Sequence, residues 1–347
     1  MNLNNVFGFI AKSGAKVYII IYNSNTIFQI YDYGILSLKN TALNIKMLFL
    51  LTLLSPRIMK VKITLVLLFT LIAWRSFAQE GKSPFDTTKY GKNTAVGKYA
   101  EIRGFKMYYE TYGKGEPLLI IHGNGGSINN FLYQIPYFAK NYQVIIADSR
   151  SQGKSVDHTD SLSYEMMTDD LNALLDKLNL KQCNVIGWSD GGIEGLMLAM
   201  RHPEKVKKLA VTGANLWPDT SAVDPFVYNY ALKMNLKGQD TIKKIKNVTP
   251  EMKDQLKLLH LLTYAPHIKI ADVKKISCPT LVIGGDHDVI VTKHTMLIAD
   301  LIPNSYLWIL PNSGHSTPIY YKDMFNQVVG DFFAKPYRKI EGYGRFN

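Results

Sequence analysis

The chain has 347 residues, 47% of them hydrophobic and 20% charged, which supplies core material for one large α/β domain or two small ones. No internal repeat or low-complexity tract is present, which excludes solenoids and propellers. The formal charge of +12 suggests nucleic acid or an anionic membrane as partner, but residues 1–78 carry eight cations against Asp32 alone, and the remainder keeps only +5.

In chain order, residues 1–58 are rich in Asn, Ile, Tyr and Lys without amphipathic periodicity, and they read as a mistranslated upstream segment. Met59-Lys60-Val61-Lys62 is then a basic n-region, Ile63 to Trp74 an apolar h-region, and Ser76-Phe77-Ala78 a small-x-small cleavage site before Gln79. This predicts a signal peptide over 59–78 and a periplasmic or secreted product with no stable membrane span, since a spanning helix needs roughly 20 apolar residues. The alternative starts at Met1 and keeps Ile63 to Trp74, with Met47 to Leu54, as an uncleaved membrane anchor. No cysteine follows the cleavage site, which excludes a lipoprotein anchor there.

Ala100 to Tyr112 alternates on either side of Gly104, as an antiparallel hairpin does. Six short apolar runs follow: Pro117 to Ile121, Gln143 to Ala147, Cys183 to Ile186, Lys208 to Thr212, Thr280 to Ile283 and Tyr306 to Leu310. Runs that are apolar on both faces mark parallel strands covered by helices. Met167, Leu171, Leu174, Leu175 and Leu178 have helical spacing between two of them. The expected fold is therefore α/β, a doubly wound and mostly parallel sheet. Between about Leu216 and Lys275 no good strand occurs, whereas Pro225 to Leu236 and Pro250 to Leu262 look helical, with a helix start at Thr249-Pro250-Glu251-Met252. That interval predicts a small helical cap (216–275) inserted after the sixth strand, between core segments 98–215 and 276–337. Cys183 and Cys278 abut strand-like runs and are expected as buried free thiols, although an exported protein could pair them; neither has metal-ligand spacing. The clusters Lys205, Lys207, Lys208 and Lys243, Lys244, Lys246 lack interleaved aromatics and read as solvated faces, not as nucleic-acid sites.

Gly187-Trp188-Ser189-Asp190-Gly191 falls where a strand turns into a helix. Ligands of an open parallel sheet bind beyond the carboxyl ends of its strands, and a serine on so tight a turn projects its Oγ there. A hydroxyl needs a base and a group to orient that base. Two further post-strand loops supply them: Gly284-Gly285-Asp286-His287-Asp288 and Pro311-Asn312-Ser313-Gly314-His315. With His122-Gly123-Asn124-Gly125-Gly126 and Asp148-Ser149-Arg150-Ser151-Gln152-Gly153-Lys154-Ser155, these motifs resemble the α/β-hydrolase superfamily from about residue 98 to 335. The second stretch departs from the family's D-x-R-G-x-G-x-S at Ser151, where glycine is usual.

The resemblance implies that Ser189 attacks an acyl carbon, His315 takes and returns the proton, and Asp288 orients the imidazole, while the backbone N–H groups of Asn124 and Asp190 hold the oxyanion. His287 competes with His315 but neighbours the acid, and Asp286 and the more distant Asp219 compete with Asp288, which the family's G-x-x-D spacing favours. His122 packs beneath the loop in the family, His202 reads as a helix end, and His260 and His267 lie in the cap. Asp190 beside the nucleophile is either a first-turn acid that favours the helix dipole or a substrate group. G-W-S-D-G-G, followed by Thr212-Gly213-Ala214-Asn215, is similar to the valacyclovir hydrolase branch, whose members cleave α-amino acid esters and bind the ammonium with that acid. Asp190 and Trp188 are accordingly the expected substrate-binding residues of a small-ester hydrolase that needs no cofactor or metal. C–C bond hydrolysis, lactonase or perhydrolase chemistry would use the same triad, and a non-catalytic binding protein of this fold would show a broken one. Dehalogenases and epoxide hydrolases carry Asp at the nucleophile position, and a charged cap argues against a large lipase interface.

Overall fold

The computed structural model describes residues 88–346 and the backbone of three strands nearer the N-terminus. Those strands, Gly8–Ser13, Lys16–Ile21 and Ile30–Tyr33, pair antiparallel within a unit of their own (Met1–Lys82). Their aromatic and β-branched residues supply strand propensity without an amphipathic period, which is why the sequence pattern marked no element there. The signal peptide over 59–78 and the alternative anchor over Met47 to Leu54 and Ile63 to Trp74 lie outside the described residues. No described helix is long and apolar enough to cross a membrane.

The second unit (Ser83–Asn347) is built on eight strands: β1 (Lys98–Ile102), β2 (Phe105–Tyr112), β3 (Glu116–Ile121), β4 (Tyr142–Ala147), β5 (Cys183–Trp188), β6 (Val206–Thr212), β7 (Thr280–Gly285) and β8 (Ser305–Leu310). Their order across the sheet is β8-β7-β6-β5-β3-β4-β2-β1. Every pairing is parallel except those of β2, which runs antiparallel to both β1 and β4. The β1–β2 hairpin turns through Arg103 (φ 45°) and Gly104 (φ 85°), both left-handed as a tight two-residue hairpin turn requires.

The alternation of side chains along each strand divides the core into two layers. Leu119, Ile121, Val185, Leu209 and Val211 face one side, under α2 (Tyr164–Lys177) and α3 (Asp190–Arg201). Leu118, Ile120, Val144, Ile146 and Ile186 face the other, under α1 (Gln134–Phe138) and the C-terminal α9 (Lys322–Ala334). All six residues of β7 are buried, as the continuous apolar run predicts, whereas the edge strand β8 is only half-buried. Burying one such aliphatic side chain contributes roughly 1.5–3 kcal/mol. In α2, Met167, Leu171, Leu174 and Leu175 are buried, and the Ser163 hydroxyl caps the helix by accepting from the Met166 N–H at 3.2 Å.

Between β6 and β7 the chain forms α4 (Pro225–Lys244), α5 (Pro250–Tyr264) and the short α6 (Ile270–Val273). Thr249 caps α5 by accepting from the Met252 N–H at 3.3 Å. α4 runs eight residues past the apolar pattern that ended at Leu236, because Lys243 and Lys244 suit the negative end of its dipole. The remaining helices are α7 (Thr292–Leu301) and the single-turn α8 (Thr317–Tyr320). Both cysteines are free, Cys183 buried and Cys278 only half-buried, so the second departs from the expected buried thiol; burial pushes the Cys183 thiol up to about 12.

Candidate active site

Ser189 connects β5 to α3 with φ 58° and ψ −121°, a conformation costing a non-glycine residue on the order of 1–3 kcal/mol. Three glycines allow it. A Cβ on Gly187 would lie 2.1 Å from the Gly191 carbonyl oxygen, one on Gly191 2.2 Å from that of Ile121, and one on Gly123 2.9 Å from the Ser189 Cβ. The turn is pinned by the Ser189 N–H, which donates to the Thr212 carbonyl at 2.9 Å.

His315, in the loop after β8, approaches from the side: its Nε2 is 2.9 Å from Ser189 Oγ and its Nδ1 2.6 Å from Asp288 Oδ1. The Asp288 side chain is fully buried, and its Oδ1 also accepts from the Ile290 N–H at 3.1 Å. Burial pushes this carboxyl upward, but the His315 charge and hydrogen bond and two backbone N–H groups outweigh it and hold it below the ordinary range. Conversely, burial would lower His315, yet the Asp288 charge and hydrogen bond, with a smaller contribution from Asp190, raise it. Ser, His and Asp thus form one hydrogen-bonded chain from loops after β5, β8 and β7.

The competing residues sit elsewhere. His287 is exposed and pairs with Asp286 at 2.8 Å. Asp286 Oδ1 also accepts from the Ser313 N–H at 3.0 Å, so it braces the His315 loop; these bonds, first that of His287, hold it down to about 2. Asp219 hydrogen-bonds within its own turn to Ser221. His122 lies under the β3 loop, its Nδ1–H donating to the Gly123 carbonyl at 2.8 Å and its Nε2 accepting from the Ser149 N–H at 2.9 Å, a pairing that fixes the neutral tautomer.

The two expected oxyanion donors flank Ser189. Asp190 is the first residue of α3, where a backbone N–H has no acceptor within the helix. Asn124 follows Gly123, the residue against which the Ser189 Cβ packs. The Asp190 side chain turns inward and is 2% exposed: Oδ2 accepts from Asn124 Nδ2 at 2.9 Å, and the Tyr164 hydroxyl donates to the same carboxylate. Trp188 braces the histidine, its indole N–H donating to the His315 carbonyl at 2.9 Å.

One turn beyond Asp190 lies Glu194, wholly buried, with neither carboxylate oxygen hydrogen-bonded. Burial, then the charges of Asp190 and Asp170, push its carboxyl well above the ordinary range; burial raises Asp190 too, against the hydrogen bonds from Asn124 and Tyr164. Glu194 escapes motif reading. Its signal is the single acid inside the otherwise apolar Gly192-Ile193-Glu194-Gly195-Leu196-Met197. Among the described residues no group of three or more His, Cys, Asp or Glu could hold a metal ion.

Comparison with known proteins follows the same lines. A family model described as the alpha/beta hydrolase fold matches residues 116–235. The putative carbamate hydrolase RutD of Stutzerimonas stutzeri (strain A1501) is 26% identical over 260 residues, 66% of this chain and 97% of that protein. The 2-hydroxymuconate semialdehyde hydrolase of Pseudomonas sp. (strain CF600) is 27% identical over 270 residues, 69% and 94%. Serine hydrolase BPHL of Mus musculus is 26% identical over 250 residues, 67% and 84%. The crystal structure of MGS-M2, an alpha/beta hydrolase from a Medee basin deep-sea metagenome library, matches in fold with a TM-score of 0.61 at 20% identity, over 71% of this chain and all of that one. The chain has the α/β-hydrolase fold and is a hydrolase.

Proposed function

We propose that the protein cleaves a small carboxylic ester through an acyl-enzyme on Ser189. His315 Nε2 takes the Oγ proton as Oγ attacks the acyl carbon and returns it to the leaving alcohol; the same pair then activates the water that releases the acid. Asp288 keeps Nδ1 protonated and stabilises the imidazolium. The backbone N–H groups of Asn124 and Asp190 hold the oxyanion, each such donor being worth on the order of 2.7–4 kcal/mol in the transition state. The observation that carries this reading is the unbroken chain Ser189 Oγ to His315 Nε2 at 2.9 Å and His315 Nδ1 to Asp288 at 2.6 Å.

Within that class, an α-amino acid ester would place its ammonium at Asp190, near Trp188. Both side chains are already engaged, Asp190 with Asn124 and Trp188 with the His315 carbonyl, so an uncharged small ester is the favoured substrate. Steady-state hydrolysis of p-nitrophenyl acetate, valine p-nitrophenyl ester and a simple lactone, each by the wild type and Ser189→Ala, tests the reading: the acetate is the best of the three and the variant is inactive on all. A better rate on valine ester would move the substrate to the amino acid esters, and one on the lactone to lactones. Export rests on the composition of residues 59–78, and N-terminal sequencing of the natural protein, with Gln79 expected first, checks it.

A further inference from the structure

Ser151 and Lys257 have no part in the chemistry above, yet they are joined. Ser151, standing where the family pattern has glycine, has φ 61°, in the left-handed region that favours glycine. Its Oγ accepts from Lys257 Nζ of the cap helix α5 at 2.9 Å. The same ammonium donates to the Thr159 carbonyl and to Asp254 Oδ1, each at 2.8 Å, so its three N–H bonds find three acceptors. Asp157 lies 3.6 Å away, itself paired at 3.0 Å with the buried Arg150, and the Lys257 side chain is only 9% exposed. The cap thus inserts one charge into a buried ion network of the core. The next residue of α5, Leu258, accepts through its carbonyl from Asn124 Nδ2 at 3.2 Å, and that amide also donates to Asp190 at 2.9 Å.

We propose that Lys257 is a positioning residue for the hydrolytic reaction: docked on Ser151, it seats α5 so that the Leu258 carbonyl and the Asp190 carboxylate clamp the Asn124 side chain, fixing the Asn124 peptide N–H against the oxyanion. The inference rests on the ester-hydrolase reading, in which that N–H stabilises the transition state. An oxyanion donor acts over a narrow range of distances, and its stabilisation is realised only as charge develops, so loosening the clamp lowers kcat more than it raises KM. A network that merely holds the cap in place would do the reverse.

The test is steady-state hydrolysis of p-nitrophenyl acetate by the full chain and its variants Lys257→Met, Lys257→Arg, Ser151→Gly, Asn124→Ala and the Lys257→Met/Asn124→Ala double, with thermal unfolding of each. Lys257→Met and Asn124→Ala should each lower kcat by about tenfold with KM within about twofold, and the double variant should be no worse than either single one, because both loosen the same clamp. Lys257→Arg, which keeps the charge, should recover more than Lys257→Met does. Ser151→Gly relieves the left-handed backbone, so it folds even if Lys257→Met does not, and it should still lower kcat. A wild-type kcat in Ser151→Gly or in a folded Lys257→Met, an effect confined to KM, or multiplicative losses in the double variant overturn the proposal. An undiminished rate in Ser189→Ala refutes the ester-hydrolase reading itself, a separate result.

Discussion

Replacing Glu194 by Gln should flatten the dependence of stability on pH. Glu194 is wholly buried, neither oxygen has a partner, and Asp190 and Asp170 add negative potential, so the folded protein keeps a proton that the unfolded chain releases near 4.5. A group whose folded pKa is raised contributes stability that is complete below the unfolded value and is lost as pH rises towards the folded one. Each pH unit inside that window costs about 1.4 kcal/mol per proton, so as pH rises above 4.5 the wild type should lose stability that Glu194→Gln retains, with comparison at pH 5.5 and 7.5 showing a larger drop in the wild type. Gln has nearly the same volume and leaves similar unpaired polar atoms, and that shared cost cancels when each protein is compared with itself at the two pH values. Urea unfolding of both proteins at both pH values measures it. Parallel behaviour would mean that Glu194 is ionised or hydrated in the fold, and the reasoning would be wrong.

Other outcomes follow from the candidate site. Asp288 raises His315, so kcat/KM should climb with pH through a midpoint above the ordinary histidine value of 6.5, and Asp288→Asn should remove that raised limb and lower kcat by about 10⁴-fold, as loss of the orienting carboxylate does in other triads. Trp188→Phe keeps the ring but deletes the N–H that holds the His315 carbonyl; losing a bond worth about 1 kcal/mol should lower kcat about fivefold, with KM little changed. Asp190→Asn should leave the ratio of rates on neutral and cationic esters unchanged, whereas a selective loss on valine p-nitrophenyl ester would make Asp190 an ammonium site.

The parts legible in the sequence are those written in local spacing. Continuous apolar runs marked β3 to β8, and the glycines around Ser189 marked the turn, because each constraint acts within a few residues. Ser189, Asp288 and His315 could be paired across the chain only because each follows a strand and all strand ends of a parallel sheet meet at one edge. The bonds that no spacing announces join distant residues: Trp188 to the His315 carbonyl, 127 positions apart, and Lys257 to Ser151, 106 apart. Ser151 was visible as a departure from a motif, but its partner lay in the cap. The length of α4 was hidden for another reason, since its last two turns are polar and show no apolar period.

The most direct test is hydrolysis of p-nitrophenyl acetate by the wild type and Ser189→Ala, with the acyl adduct located by mass spectrometry in the wild type. A loss of about 10³-fold or more in the variant, together with an acetyl group on Ser189, is the expected result. A Ser189→Ala protein that keeps the wild-type rate, or an acetyl group carried by another residue, would contradict the assignment of Ser189 as nucleophile.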